Sequence, residues 1–510
     1  MWLSFINERV IKPVENGEVA FGNYIGTFVA VIIARIFLEV FSDSSVISFD
    51  RFAHYSLFYV CLALSFILVF HYATKEPVVK IARTTLTFSF LIILAPLFDL
   101  LLSKGQGFDM TYFLPGVHGD LGARFLTYAG SFNGSGVTPG MRIEIGIILI
   151  CSFLYLLVKT RTAVRSLIGI FFIYSLLFLY GLAPFGVKAL LGFFNFPFVY
   201  SDSLMRDFYL FLLLIFVPWF LYVCKRAYFV ALIKDMRFAR ILHYLAMWLF
   251  GFAYAGSIGM AGYHPGLFYW FFIPAAIIYA GCFSLITNNL SDVPIDAITN
   301  TGRPLVTGAI PPGHYTKVGW FCLGGGILYA GAVGFTALLL VLVLAGSYYL
   351  YSMPPVRFKR VTFFSKICIA ICSLATFLLG YNGTNKSVEI SFNVAVYFLI
   401  WVTAAGNFID LKDYEGDKQA GIRTLPVVFG LRRAQLFIAC FFFCACICIP
   451  WLVPDLLIVW LSRGLAVLVF FLIWRKSYNE RPIFAAYLFG MAVLIVYLLH
   501  RHGIRAFFNT

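Results

Sequence analysis

Apolar segments of bilayer-spanning length recur from one end of this chain to the other, and that feature constrains its fold more than any other. A helix needs roughly 17 to 25 apolar residues to cross a hydrocarbon core, where no water satisfies an open backbone. Such segments lie near 22–41, 54–72, 84–102, 143–157, 166–183 and 207–224. They continue near 241–260, 266–287, 316–333, 335–351, 362–380, 391–408, 434–451, 456–474 and 484–500. The chain is 61% hydrophobic and 19% aromatic, so its inward and outward surfaces must both be largely apolar. The expected fold is an all-α polytopic membrane protein without a large soluble domain. Arg463 interrupts 456–474 and makes that span the weakest.

The net charge of +15 does not point to nucleic acid, because the basic residues sit in short loops beside apolar segments. Lys75, Lys80 and Arg83, then Lys159, Arg161 and Arg165, then Lys225, Arg226, Lys234, Arg237 and Arg240 occupy every second loop. That alternation places those loops, and the N-terminus with them, in the cytoplasm. Glu8, Arg9, Lys12, Glu15 and Glu18 precede the first apolar run, unlike a cleavable signal, so the first span is expected to remain as an anchor. The eleven cysteines lie in apolar runs, where cysteine behaves as a small hydrophobe, and neither zinc nor disulfides are expected.

Against this background, with only 12% of residues charged, two acidic runs stand out. One is Asp410-Leu411-Lys412-Asp413-Tyr414-Glu415-Gly416-Asp417-Lys418, continuing to Arg423-Thr424-Leu425-Pro426; the other is Asn288-Asn289-Leu290-Ser291-Asp292-Val293-Pro294-Ile295-Asp296, followed by Arg303. Carboxylates beside an apolar span are costly unless they serve a function. Asn288, Asp292 and Asp296 are spaced i, i+4, i+8, and Asp410, Asp413 and Asp417 i, i+3, i+7, so each trio forms a stripe on a helix face. Two facing stripes make an oxygen-rich pocket that suits magnesium, which binds through one or two carboxylates and completes its octahedron with phosphates and water. These six residues are the candidate metal ligands, and a diphosphate is the expected substrate group. Catalysis is expected to rest on Asp292, Asp296, Asp413 and Asp417, with Arg303, Arg357, Lys359 and Lys418 as candidate diphosphate contacts. Pro294 is expected to break the helix between Asp292 and Asp296, because it lacks the N–H a helix needs.

With Tyr351-Ser352-Met353-Pro354-Pro355-Val356-Arg357-Phe358-Lys359-Arg360 between them, the two runs resemble the UbiA family of intramembrane prenyltransferases. The resemblance covers roughly residues 235–510. It implies a nine-helix transmembrane bundle with cytoplasmic acidic motifs. It also implies magnesium-dependent transfer of a prenyl group from a polyprenyl diphosphate to a membrane-soluble aromatic or lipid-alcohol acceptor. A glycerol phosphate type lipid is the alternative acceptor, with the N-terminal half presenting or processing it. Two departures bear on the carry-over: Asn289 stands where many members have aspartate, and Ala405-Gly406-Asn407 replaces a common Arg-Glu pair.

Residues 1–234, with about six spans by the length criterion, carry no such resemblance and form a separate transmembrane domain of unknown function. Here Arg35, Glu39 and Asp99 approach the loop 103–142, which contains Asp109, His118, Asp120, Arg124 and a glycine-rich stretch from Gly130 to Gly140. Arg142 and Glu144 follow it. Ordinary ion pairing and helix anchoring are the expected roles. An ion-coupled transporter is the remote alternative, but it would place its acids near the midplane. The first half has no matching acidic repeat, and the acids of the second fall at cytoplasmic helix ends. The expected location is the cell (inner) membrane.

Overall fold

The computed structural model describes residues 2–43, 48–117, 119–127, 136–257, 265–383, 391–419 and 421–501. Among them the regular structure is helical, without strands. Among the described residues fourteen helices have the length and apolarity to cross a membrane, six between Phe21 and Cys224 and eight between Phe238 and Arg501. The protein is an integral membrane protein. Its contacts divide the chain into two units, Met1–Arg226 and Ala227–Thr510.

In the first unit the spans are Phe21–Phe41, Phe49–Thr74, Val78–Leu102, Pro139–Thr160, Ala163–Gly181 and Asp202–Cys224. The third tightens to a 3-10 helix over Phe88–Ile93, and the shorter helix Ala183–Phe193 follows the fifth. Close approach of Val78–Leu102 to Pro139–Thr160 requires Gly140, where a Cβ would lie 2.2 Å from the Ala95 carbonyl oxygen. Arg35 pairs with Glu39 at 2.7 Å and Glu144 at 3.5 Å, and donates to the Tyr59 hydroxyl at 2.9 Å. Asp99 accepts from the Thr138 hydroxyl at 2.5 Å and from the Gly140 N–H at 2.7 Å. His118 and residues 130–135 of the glycine-rich stretch lie outside the described residues.

Among the described residues of the second unit run nine long helices, α1 (Phe238–Ser257), α2 (Tyr269–Thr299), α3 (Pro312–Val333), α4 (Phe335–Ser352) and α5 (Thr362–Tyr381), then α6 (392–411), α7 (Leu431–Ile447), α8 (Leu456–Trp474) and α9 (Glu480–Arg501), of which α3 alone is not among the eight apolar enough to cross a membrane. Neighbours pack as α2 on α3, α3 on α4, α4 on α5, α5 on α1, α1 on α9, α9 on α8 and α8 on α7, which curls the helices into a bundle. The α1–α5 seam is the tightest described. A Cβ on Gly251 would fall 1.9 Å from the Phe377 carbonyl oxygen, and one on Gly380 would fall 1.8 Å from that of Trp248. Small residues on facing helices let backbones touch where lipid supplies no hydrophobic drive.

α2 and α8 both depart from the sequence expectation. α2 does not break at Pro294 but runs through it to Thr299. Proline forfeits a single backbone bond there, and the helix end is closed by Asn300, whose N–H donates to the Asp296 carbonyl at 2.8 Å and whose Nδ2 donates to Oδ1 at 2.9 Å. α8, expected to be weak, is unbroken. Arg463 lays its guanidinium over the Trp460 ring at 5.4 Å, so its charge is held at an aromatic face rather than in bare hydrocarbon.

Candidate metal and diphosphate site

α2 brings Asn288, Asp292 and Asp296 to one cavity, as their four-residue spacing requires. The second trio reaches the same cavity by a different route. The expected continuous helical stripe is absent: α6 changes from π-helical over Tyr397–Val402 to 3-10 over Gly406–Leu411, carrying Asp410. Asp413 then lies in a bend, and Asp417 on the short helix Tyr414–Gln419. The bend is held where the Asp417 N–H donates to the Asp413 carbonyl at 2.8 Å. Six side chains from two separated runs thus line one space of about 1350 Å³.

Basic residues meet these acids in pairs. Lys359, with Arg357 at 3.1 Å, holds Asp292, and Arg357 also donates to the Ser291 carbonyl at 2.8 Å. Lys366 on α5 holds Asp410 at 2.5 Å. Arg303 is drawn into a wider knot: Nη1 donates to Asn289 Oδ1 at 2.6 Å and to Asp235 Oδ1 at 3.3 Å, while Nε lies 3.0 Å from Asp296 Oδ2. Asp235 also accepts from Asn289 Nδ2 at 2.6 Å and from the Tyr315 hydroxyl at 2.8 Å. Asn289, the departure noted in the sequence, is therefore the amide that ties Asp235 to Arg303. Lys418 is exposed, stacks on Tyr414 at 5.8 Å and does not line the cavity; Arg357 reaches the site through Asp292.

The donor set fits a hard cation used jointly with phosphate. Among the described residues no three His, Cys, Asp or Glu side chains converge tightly enough to chelate an ion unaided. Magnesium, however, commonly takes only one or two protein carboxylates and fills the rest of its shell from phosphate and water. Asp296 Oδ2 is buried without a hydrogen-bond donor, since Arg303 approaches it at an angle short of a hydrogen bond. The oxygen has the Arg303 charge beside it but no hydrogen bond, which leaves its lone pairs open to a metal ion or water. Burial, together with the charges of Asp410 and Asp413, pushes the Asp417 carboxyl up to about 7, as expected of acids crowded into one pocket.

Sequence reasoning passed over Lys366, Arg237, Arg240 and Asp235, though all four belong to the site or its rim. Lys366 carried a usable signal, being a lone cation inside an apolar span. Arg237 and Arg240 did not, because topology signals alone account for basic residues in a short loop beside an apolar span.

Residues 244–495 match the family model described as the UbiA prenyltransferase family. Among curated relatives, the digeranylgeranylglyceryl phosphate synthase of Pyrococcus horikoshii is 28% identical over 171 residues, covering 33% of this chain and 59% of that protein. The Methanospirillum hungatei enzyme of the same name is 30% identical over 188 residues, covering 36% and 64%. The chloroplastic chlorophyll synthase of Arabidopsis thaliana is 32% identical over 158 residues, covering 29% and 40%. The chain thus spans under two thirds of the length of these relatives. A solved UbiA homolog from Archaeoglobus fulgidus, bound to DMAPP and Mg2+, covers 51% of this chain and 98% of its own at 21% identity, with a TM-score of 0.41.

Proposed function

The second unit belongs to the UbiA prenyltransferase family, and on that premise we propose that it transfers a prenyl group from an allylic diphosphate to a hydroxyl-bearing, membrane-soluble acceptor, with magnesium as cofactor. The observation that carries this reading is the convergence of Asp292, Asp296, Asp410, Asp413 and Asp417 on a cavity that Met247, Phe250, Phe398 and Leu494 continue as apolar wall. One part suits a charged headgroup, the other an isoprenoid chain.

Bound magnesium supplies charge neutralisation on the diphosphate as its bond to the allylic carbon breaks. The cations already in place serve the same anion. Lys359 and Arg357 share the one carboxylate of Asp292, and Lys366 is paired with Asp410, so three cations meet two carboxylates. A diphosphate seated among them offers new acceptors without bringing any of these charges out of water again, so the site is electrostatically prepared for the leaving group. The apolar wall keeps water from the electron-poor carbon, favouring transfer over hydrolysis.

The relatives' names favour a lipid alcohol over an aromatic acid as acceptor, and a glycerol phosphate lipid is the leading form. The basic loops argue for a cytoplasmic site in a cell membrane. The test is to supply the full-length protein in membranes with allylic diphosphates of increasing length and a panel of glycerol phosphate lipids, isoprenoid alcohols and phenols, and to identify products by mass spectrometry. A prenylated acceptor formed only with magnesium is the expected result. Intact substrates throughout the panel would overturn the reading.

A further inference from the structure

Farther along the same cavity lies a polar cluster that the diphosphate site does not use. His243 on α1 places Nδ1 2.8 Å from the Tyr487 hydroxyl on α9, and Nε2 2.9 Å from Ser373 Oγ on α5; all three residues line the cavity. Ser373 donates its own proton to the Ile369 carbonyl at 3.0 Å. Its oxygen is therefore the acceptor toward His243, so Nε2 carries the imidazole proton and Nδ1 accepts the Tyr487 O–H. Tyr487 keeps its oxygen lone pairs for a further donor, and its ring is held edge-on by Phe442.

Position along the helices gives this cluster a use. Arg240 and His243 both line the cavity from α1, and three residues of α-helix advance about 4.5 Å. On α5, Lys366, the partner of Asp410, precedes Ser373 on the cavity wall. A diphosphate among the charged residues therefore leaves its first prenyl carbon at the start of the apolar part, and the first hydrogen-bonding group beyond it on α1 is His243.

We infer that Tyr487 and His243 form the relay that takes the proton from the acceptor hydroxyl; the inference rests on the prenyl-transfer reading. As the allylic C–O bond breaks, its electron pair leaves with diphosphate. A lone pair of the acceptor oxygen forms the new C–O bond to the first prenyl carbon. The proton of that oxygen passes to Tyr487 Oη, and the proton of Tyr487 passes to His243 Nδ1, leaving an imidazolium that Ser373 keeps in orientation. Tyr487 is the catalytic residue; His243 and Ser373 act through it.

The test uses purified full-length protein with geranylgeranyl diphosphate and magnesium, and three acceptor probes: geranylgeranylglyceryl phosphate, phytol and a para-substituted phenol. Tyr487→Phe, which keeps the ring, and His243→Gln are each expected to lower kcat for transfer by about a hundredfold, at the low end of general acid–base contributions. KM and Kd for geranylgeranyl diphosphate should stay at wild-type values. Ser373→Ala should cost less in kcat and likewise spare KM. Transfer by Tyr487→Phe at the wild-type rate would overturn the relay. So would a loss of diphosphate affinity that matches the loss of transfer, since a cluster that only ties helices together would act on both. Wild-type protein that binds geranylgeranyl diphosphate with magnesium but prenylates none of the hydroxyl probes would remove the relay and leave the diphosphate site standing. Absence of magnesium-dependent binding would remove both.

Discussion

Each unit buries charge among its helices, and the two do so to opposite ends. In the first, Arg35 is 3% exposed and enclosed by Glu39, Glu144 and Tyr59, while Asp99 is fully buried between two donors from the segment that opens Pro139–Thr160. In the second, the carboxylates line a cavity, share their lysines and arginines with open space, and include an oxygen of Asp296 that no described donor satisfies. A closed ion pair returns its desolvation cost only to the fold. Charges left facing a cavity, with one valence unmet, keep that electrostatic energy for whatever enters.

This contrast predicts the largest effect at the open site. Asp296→Ala or Asp413→Ala should lower prenyl transfer by at least about a hundredfold, the scale on which loss of a metal-orienting group acts, while Asp413→Ala unfolds at the wild-type temperature and Asp296→Ala, which also gives up the Asn300 bond at the end of α2 and the pairing with Arg303, unfolds at a lower one but is folded at the assay temperature. Near-normal transfer in both variants would make these acids structural and erase the contrast. Arg35→Ala should do the reverse. It strands Glu39 and Glu144 without their cation, a change that costs about 3 to 5 kcal/mol when a buried pair is broken, so unfolding should shift sharply while the folded fraction keeps its affinity for geranylgeranyl diphosphate. Lost transfer in a stable Arg35→Ala protein would instead place the first unit in the reaction.

Proton linkage sharpens the comparison at smaller magnitude. With its carboxyl pushed up to about 7, Asp417 holds a proton below that pH, and a cation entering beside it must displace that proton. Magnesium affinity should therefore weaken by up to about tenfold for each pH unit below 7 and level off above it, one unit of pH being one decade for a single displaced proton. Asp417→Asn should flatten the profile; an unchanged slope in that variant would assign the proton elsewhere. Smallest of all should be Lys418→Ala. Exposed and off the cavity, Lys418 should leave diphosphate affinity at the wild-type value, and a clear loss by isothermal titration would return it to the site.

The helices were legible because length and apolarity decide membrane spans almost alone, and the acidic runs were legible because charge is rare around them. What escaped was the backbone between Asp410 and Asp417. Spacing predicts a stripe on one helix, yet α6 shifts through π and 3-10 geometry before the Asp413 bend, and side-chain spacing carries no record of such changes. Pro294 misled because its rule states a cost and not a veto: α2, which also contains Pro274, gives up the backbone bond and runs on to Thr299, where Asn300 closes the helix end. Asp235 was hidden in a basic segment, and only folding reveals that Asn289, Tyr315 and Arg303 converge on it.

The most direct test of the central claim is release of inorganic diphosphate from geranylgeranyl diphosphate by the purified full-length protein, with magnesium and after thorough chelation, in wild type and in Asp296→Ala. Release should occur with magnesium in the wild type, stop on chelation and be nearly abolished in the variant. Equal release with and without the cation, or in the variant as in the wild type, would contradict the assignment of the acidic cavity as a magnesium–diphosphate site.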